Sequence, residues 1–215
     1  MSRKAEVRSY LLDSGVVAVI RTESSEKLLK VSRAIKEGGV SCIEVAMTTP
    51  NALEVIQEVS EKLDDVLIGA GTVLDAETAR SAILAGAEYL VSPTVNLQMI
   101  KMCRRYDKIV APGAFTPTEI LNAWQAGADI VKVFPASRLG PKFLSDVKAP
   151  LPQVSLMPTG GVNKENAEDF IRAGADVISV GSALLDKKAM ANENYEVLTE
   201  NAKELVKAVK KGSQS

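Results

Sequence analysis

The chain has 215 residues, of which 46% are hydrophobic and 25% charged, and its 26 Lys and Arg residues are balanced by 27 Asp and Glu residues. Because the net charge is only -1 and no apolar run reaches the ~18 residues that span a bilayer, neither a nucleic-acid partner nor a membrane is expected. The sequence contains no histidine, which excludes Ser-His-Asp catalysis, Cys-His catalysis and most zinc sites.

In chain order, short apolar runs alternate with longer amphipathic stretches. The apolar runs predict buried strands over 16–20, 42–47, 66–71, 88–92, 108–111, 129–134, 154–160 and 176–181. The amphipathic stretches predict helices over 24–37, 51–63, 75–85, 96–105, 117–126 and 164–173, with amphipathic segments also at 1–15 and 192–211. Residues typical of helix caps open several of them: Ser24, Asn51, Asp75, Thr116 and Asn163.

This alternation predicts parallel strands joined by crossover helices. Eight strands in 215 residues favour a closed (β/α)8 TIM barrel over an open doubly wound sheet, and no GxGxxG motif follows the first strand. No Pro/Gly-rich linker interrupts the pattern. We therefore expect a single α/β barrel domain over 1–215, with additional N-terminal and C-terminal helices.

A repeat of helix end, glycine and strand occurs four times, as EGGVSCIEV, LAGAEYLVS, QAGADIVKV and RAGADVISV. Glycine accepts the left-handed conformation that commonly ends a helix. Counting five residues past Gly39, Gly86, Gly127 and Gly174 gives Glu44, Val91, Lys132 and Ser179. They fall on alternate predicted strands, which contribute one interior layer of an eight-stranded barrel. The spacing therefore predicts that Glu44 and Lys132 face each other inside the barrel.

Lys132 lies within DIVKVFPASRLG, whose apolar residues are typical of a strand buried on both faces. A desolvated lysine has a lowered pKa and becomes a nucleophilic amine, and a nearby carboxylate can move protons. The alternatives are a side chain that reaches water or a structural ion pair with Glu44. Buried ion pairs seldom stabilise a fold more than apolar residues do, which favours the catalytic interpretation.

Glycine-rich segments follow the last two predicted strands, in PTGGVNKEN and VGSALL. In barrels the corresponding loops often bind phosphate through backbone N–H groups and a helix N-terminus. Gly160, Gly161, Gly181 and Ser182 are the candidate donors, although glycines at strand ends also serve as plain turns. Elsewhere, Thr72 follows the third strand, and Arg21, directly after the first, is placed either to meet an anionic substrate or to lie solvated.

The sequence is similar to the bacterial 2-keto-3-deoxy-6-phosphogluconate (KDPG) and 4-hydroxy-2-oxoglutarate (KHG) aldolase family. The resemblance extends over nearly the whole chain, through VVAVIR, GGVSCIEV, LIGAGTV, AGAEYLVSP, PGAFTPTEI, VKVFPA, PTGGVN and VGSAL in this order. It implies a class I aldolase barrel that assembles as a cytoplasmic homotrimer. It also implies cleavage of KDPG to pyruvate and glyceraldehyde 3-phosphate through a Schiff base, with no metal or organic cofactor.

Carried over by motif, the resemblance implies that Lys132 forms the Schiff base and that Glu44 is the general acid and base. Thr72 would contact the pyruvate part of the substrate, Pro93 and Phe134 would shape the pocket, and the glycine loops would bind the distal phosphate. Thr48 stands where some relatives have a carboxylate-binding arginine, so that role would pass to Thr48, Thr72 and Arg21. Thr94 stands where many relatives have glycine, which predicts a narrower pocket rim.

Three alternatives remain open from the sequence. The same chemistry could act on KHG or on the galactonate epimer of KDPG. A phosphosugar epimerase or decarboxylase barrel would bind phosphate similarly but would use acid and base residues without a carbonyl-attacking lysine. A catalytically silent barrel that serves in assembly or binding is the third. The two cysteines, Cys42 and Cys103, lack CxxC spacing and predict free thiols in a reduced compartment.

Overall fold

The computed structural model describes residues 2–22 and 24–214. Helices in this part of the chain are α1 (Arg3–Ser14), α2 (Ser25–Glu37), α3 (Ala52–Lys62), α4 (Ala76–Leu84), α5 (Leu97–Arg105), α6 (Pro117–Gln125), α7 (Gly140–Lys148), α8 (Ala167–Arg172), α9 (Lys187–Ala191) and α10 (Glu196–Ser213). A 3₁₀ turn covers Ala136–Arg138. None of the helices described here is long and apolar enough to cross a membrane.

The strands of the described chain are β1 (Val16–Ile20), β2 (Cys42–Ala46), β3 (Leu67–Gly71), β4 (Tyr89–Val91), β5 (Ile109–Ala111), β6 (Gly113–Ala114), β7 (Val131–Val133), β8 (Leu156–Pro158) and β9 (Ile178–Val180). They form a six-stranded sheet in the order β5-β4-β3-β2-β1-β9 and a three-stranded sheet in the order β6-β7-β8. All paired strands are parallel. The predicted parallel α/β architecture with alternating helices is therefore confirmed.

The two sheets adjoin at both edges. Pro112 alone separates β5 from β6, and its carbonyl accepts a hydrogen bond of 2.9 Å from the backbone N–H of Lys132 on β7. At the other edge, a parallel bridge pairs Thr159, just after β8, with Ser179 on β9. The fifth strand predicted over 108–111 corresponds to β5, and β6 is a short continuation beyond Pro112, which has no N–H to donate to a ladder.

Two apolar clusters hold the fold together. The larger one lies between the strands and the surrounding helices. The smaller one fills the inside of the curled sheet, with α1 contributing Val7 and Leu11 beside Val17, Cys42, Leu67, Tyr89, Val91, Ile109, Ala111, Ile130, Met157 and Val177. Because α1 packs into this inner cluster, polar residues of the sheet interior are left at the carboxyl ends of the strands.

Some local predictions are wrong. Helices α7 and α9 were not predicted, because α7 begins with Gly140 and Pro141, which read as turn residues, and α9 has only 5 residues. Asn51 makes no capping hydrogen bond and has a left-handed φ of 53°. Helix α8 begins at Ala167 behind Asn166, so Asn163 lies ahead of the helix rather than capping it. The side chains of Ser24, Asp75 and Thr116 do cap their helices.

Candidate active site

A cavity of about 540 Å³ opens at the carboxyl ends of the strands. Ten of the eleven predicted site residues line it: Arg21, Glu44, Thr72, Pro93, Lys132, Phe134, Gly160, Gly161, Gly181 and Ser182. They come from segments at or just after β1, β2, β3, β4, β7, β8 and β9. Because all strands are parallel, their carboxyl ends meet at one face, and this brings the dispersed sequence motifs together.

Lys132 lies in the middle of β7, and its side chain reaches this cavity rather than bulk water. The residue is 6% exposed, and its Nζ atom is 4.9 Å from the centroid of the Phe134 ring. Burial lowers the pKa of Lys132, and the positive charge of Arg21 lowers it further, although Glu44 acts in the opposite direction. The neutral, nucleophilic amine is therefore more populated than in a free lysine.

Glu44 lies in the middle of β2 and is 1% exposed. Its Oε2 atom accepts no hydrogen bond from the described residues. Burial raises the pKa of Glu44, and the charges of Lys132 and Arg21 offset only part of this effect. The predicted pair thus lines one cavity without a salt bridge between the two side chains in the described structure. A carboxyl group with a raised pKa can both deliver and accept protons near neutral pH.

Glycine on β3 makes room for the Glu44 carboxyl group. A Cβ atom on Gly71 would overlap Oε1 and Cδ of Glu44. Gly71 pairs with Ala46 on β2, two residues beyond Glu44, so the glutamate side chain leans along the strand toward the open end of the cavity. The sequence motif GAGTV therefore serves the site through a missing side chain as well as through Thr72. Thr72 itself has a left-handed φ of 59°, a strained backbone conformation of the kind found at functional sites.

Thr48 is the predicted site residue that the structure does not bring to the cavity. It is exposed and is not among the residues that line the cavity. A tight turn, in which the N–H of Thr49 donates to the carbonyl of Ala46 at 2.8 Å, carries Thr48 outward. The structure therefore does not bring Thr48 together with the other predicted carboxylate ligands. Arg21 and Thr72 remain in place at the cavity wall.

The glycine loops after β8 and β9 present backbone donors to the same cavity. Gly160 and Gly161 have left-handed φ values of 87° and 79°. The backbone N–H groups of Gly160, Gly161 and Ser182 donate to no acceptor in the part of the chain that the structure describes. Consecutive backbone N–H groups freed in this way form the concave nests that bind anions. The arrangement suits a phosphate group at the outer part of the cavity.

Several residues on the cavity wall were not predicted as site residues: Val19, Thr159, Val162, Asn163, Ser179 and Ala183. Ser179 is the most informative of them, since it is 1% exposed and its hydroxyl has no hydrogen-bond partner among the described residues. The glycine repeat did place Ser179 in one interior layer with Glu44 and Lys132. Val91, the fourth member of that predicted layer, lies instead in the inner apolar cluster and not on the cavity.

Potential metal ligands do not cluster in the described residues, where no group of three or more Cys, Asp or Glu side chains is placed to hold an ion. Cys42 and Cys103 are both buried free thiols. Burial raises the pKa of each thiol to about 12, so neither is a thiolate near neutral pH. Among the described cavity residues, the groups suited to covalent and proton-transfer chemistry are thus the Lys132 amine and the Glu44 carboxyl group.

Comparison with known proteins gives a consistent result. The family model described as "KDPG and KHG aldolase" matches residues 7–201. The chain is 33% identical over 185 residues to the 2-dehydro-3-deoxy-phosphogluconate aldolase of Treponema pallidum, covering 86% of this chain and 88% of the relative. It is 30% identical to the 2-dehydro-3-deoxy-6-phosphogalactonate aldolase of Escherichia coli, with 93% and 96% of the two chains covered.

A solved structure extends the likeness to the fold. The KDPG aldolase of Legionella pneumophila, with pyruvate captured at low pH as a covalent carbinolamine intermediate, superposes with a TM-score of 0.86 at 27% identity. The match covers 95% of this chain and 98% of that one. The family model alone spans far more than half of the sequence, and the predicted family is confirmed. The chain belongs to the KDPG and KHG aldolase family.

Proposed function

We propose that this protein is a class I aldolase that cleaves KDPG to pyruvate and glyceraldehyde 3-phosphate. The observation that carries the proposal is the placement of a buried amine, Lys132, and a buried carboxyl group, Glu44, on the wall of one cavity. Lys132 acts as the nucleophile because its pKa is lowered, and Glu44 exchanges protons because its pKa is raised. Relatives named for this reaction support the assignment.

The first half of the reaction joins enzyme and substrate. The lone pair of the neutral Lys132 amine attacks the C2 keto carbon, and one proton moves from the attacking nitrogen to the carbonyl oxygen to give a carbinolamine. Glu44 then protonates the carbinolamine hydroxyl, water leaves, and the C–N bond becomes an iminium. Glu44 is left as a carboxylate beside a positively charged Schiff base, which stabilises both groups in the buried site.

The second half breaks the carbon chain. The Glu44 carboxylate takes the proton of the C4 hydroxyl, the C3–C4 bond breaks, and its electron pair moves into the iminium to give an enamine and an aldehyde. Glu44 returns the proton to C3 of the enamine, which becomes the iminium of pyruvate. Water then adds to this iminium, and the proton that it releases returns to the Glu44 carboxylate. The resulting carbinolamine breaks down to pyruvate and the free Lys132 amine, so both groups end in the state in which they began.

The remaining cavity residues are assigned to the two ends of the substrate and to the wall between them. We assign Arg21 and Thr72 to the C1 carboxylate, because both line the cavity and Thr48 does not. Gly160, Gly161, Gly181 and Ser182 bind the distal phosphate through backbone N–H groups and the serine hydroxyl. Pro93 and Phe134 shape the wall beside the reacting carbons, and Phe134 also shields the Lys132 amine.

Two further substrates share this chemistry and carry over from relatives. One is KHG, which would yield pyruvate and glyoxylate, and which the family description includes. The other is the galactonate epimer of KDPG, on which the Escherichia coli relative is named to act. The phosphate-binding geometry of the glycine loops favours a phosphorylated sugar acid over KHG.

We extend the proposal to the whole chain, with one (β/α)8 TIM barrel domain over 1–215 and with β5 and β6 acting as one strand. Support for barrel closure comes from the contacts at both sheet edges, at Pro112 and at the bridge of Thr159 with Ser179. The enzyme would act in the cytoplasm on 2-keto-3-deoxy sugar acid phosphates and pyruvate, where its buried thiols stay reduced.

The same proposal includes a homotrimer. Leu74, Leu97 and Phe115 are exposed apolar side chains that follow β3, β4 and β6 at one end of the sheet. Leu74 and Leu97 belong to neighbouring loops, because the Asn96 amide donates to the carbonyl of Leu74 at 2.9 Å. We call these three residues the apolar rim and propose that it packs against neighbouring copies. Grouped apolar side chains of this kind mark contact surfaces.

Trapping of the Schiff base tests the central proposal. The enzyme is incubated with pyruvate and borohydride, and the modified residue is located by peptide mass spectrometry. We expect one covalent adduct, on Lys132, together with release of pyruvate from KDPG by the untreated enzyme. The variant Lys132→Ala should form no adduct and release no pyruvate while remaining folded. An adduct on another lysine, or turnover by Lys132→Ala, would contradict the proposal.

A further inference from the structure

Tyr89 is a buried polar residue that the proposed reaction leaves unused. It lies at the start of β4, is 2% exposed and packs in the inner apolar cluster. Its hydroxyl has no hydrogen-bond partner among the described residues. A buried phenol normally finds an acceptor, because leaving a buried polar group unsatisfied is costly. Its surroundings therefore indicate which acceptor it serves.

The strand register places Tyr89 beside Glu44. Glu44 on β2 pairs with Gly69 on β3, and Gly69 pairs in turn with Tyr89 on β4. A Cβ atom on Gly69 would overlap the Cε2 and Cζ atoms of Tyr89, so the ring lies across β3 in the space that a side chain there would take. Gly71 makes the same kind of space for the Glu44 carboxyl group. Both side chains thus lie over glycines of one strand, two residues apart.

The two unsatisfied atoms are chemically complementary. The Tyr89 hydroxyl is a donor, and the Oε2 atom of Glu44 is an acceptor without a partner in the described structure. Burial raises the pKa of Tyr89 well above its ordinary value, and the neighbouring Cys42 and Glu44 raise it further. The phenol therefore keeps its proton throughout the pH range in which Glu44 changes its charge.

We propose that Tyr89 is a positioning residue for Glu44, whose ionised carboxylate accepts a hydrogen bond from the Tyr89 hydroxyl through one buried water molecule. A single water between two buried polar groups is a common way to satisfy both. This water-mediated link holds the Glu44 carboxylate over Gly71 while the carboxylate takes the proton of the substrate's C4 hydroxyl. This inference rests on the proposed function, in which Glu44 exchanges protons with the substrate.

The proposal predicts a direction for the titration of Glu44. A donor that binds the charged form lowers the pKa of a carboxyl group, so loss of the Tyr89 hydroxyl should raise the pKa of Glu44 further. The other charged or titratable groups that face Glu44 are Lys132 on β7 and Arg21 after β1. Cys42 on β2, which faces Tyr89, stays neutral because the pKa of its thiol is about 12. These groups are unchanged in a Tyr89→Phe variant.

The experiment compares Tyr89→Phe with a matched control, Tyr106→Phe. Tyr106 undergoes the same chemical change but lies exposed at the end of α5. Two quantities are measured: the infrared titration of the carboxyl band that Glu44→Gln removes, and the limb of the pH profile of kcat/KM that Glu44→Gln removes. We expect both midpoints to move up by about one pH unit in Tyr89→Phe and to stay unchanged in the control.

Unchanged or lowered midpoints in Tyr89→Phe would overturn the proposal. Because a midpoint does not depend on how much protein is folded, a loss of yield in this variant does not affect the result. The infrared titration also needs no turnover, so it is read independently of the proposed reaction. Failure of the proposed function would show instead as the absence of a pyruvate adduct on Lys132 in the parent enzyme.

Discussion

The carboxyl group of Glu44 occupies the space that a side chain on Gly71 would take. Glu44 is on β2 and Gly71 on the neighbouring β3, so one strand provides the functional group and the next provides the room for it. The fit holds the carboxyl group inside the cavity that Lys132 also lines. A glycine is therefore as specific a requirement of this site as the glutamate itself.

Substitution of Gly71 by alanine tests this relationship. The added methyl group should push the Glu44 carboxyl group aside, and displacement of a catalytic group by about 1 Å lowers kcat by about 10²-fold. The same substitution in a Glu44→Ala background should cost no further activity, because the methyl group then fits the vacated space. Steady-state kinetics of the four enzymes of this cycle give the coupling. Full activity of Gly71→Ala would show that the catalytic reaction does not need the space that Gly71 leaves for the Glu44 carboxyl group.

Much of this site could be predicted because its main residues lie on strands with a regular spacing. The glycine repeat placed Glu44, Lys132 and Ser179 correctly toward one interior. The outward position of Thr48 could not be predicted from the sequence, because Thr48 follows β2 in a tight turn whose direction the strand period does not determine. Thr159 was missed for a different reason: a threonine at a strand end is common, and only the three-dimensional structure shows that it faces the cavity.

The buried pair should lower the stability of the protein near neutral pH. The pKa of Glu44 is raised in the folded state, so its contribution to stability is present below pH 4.5 and lost as the pH rises through the raised value. The pKa of Lys132 is lowered, so its contribution is present above pH 10.5 and lost as the pH falls through the lowered value. The Glu44 contribution is therefore absent above the raised pKa of Glu44, and the Lys132 contribution is absent below the lowered pKa of Lys132.

We therefore expect a Glu44→Gln/Lys132→Met double variant to be inactive but more stable than the parent at pH 7, by about 1–4 kcal/mol. The gain should shrink toward pH 4 and toward pH 11. Urea denaturation at several pH values measures it. The single variant Lys132→Met should gain less, because it leaves Glu44 without the opposite charge. A double variant that is less stable than the parent at pH 7 would refute this account.

The apolar rim should hold the proposed trimer together. Leu97 is 59% exposed in the single chain, so Leu97→Lys should fold normally but place a charge in the contact between copies. Sedimentation equilibrium should show trimers for the parent and monomers for Leu97→Lys. The control Leu84→Lys changes a residue that is 69% exposed at the last position of α4, far along the helix from the rim, and should remain trimeric. Trimers in Leu97→Lys would exclude the rim as the interface.

The glycine loop after β8 should determine affinity for the phosphorylated end of the substrate. Gly161 has a φ of 79°, and a side chain there would collide with Ser137, so Gly161→Ala should distort the loop. Gly140 is a matched control, since its φ is 72° and a Cβ atom there would meet nothing within 4 Å. Each substitution should cost about 1–2 kcal/mol in stability from the left-handed backbone alone.

The KM for KDPG should rise at least tenfold in Gly161→Ala only, since an anion site loses its backbone donors when the loop moves. The concentration of pyruvate that gives half-maximal borohydride trapping should be the same in both variants, because pyruvate carries no phosphate. A parallel rise for pyruvate in Gly161→Ala would mean that this loop supports the whole cavity rather than a phosphate site.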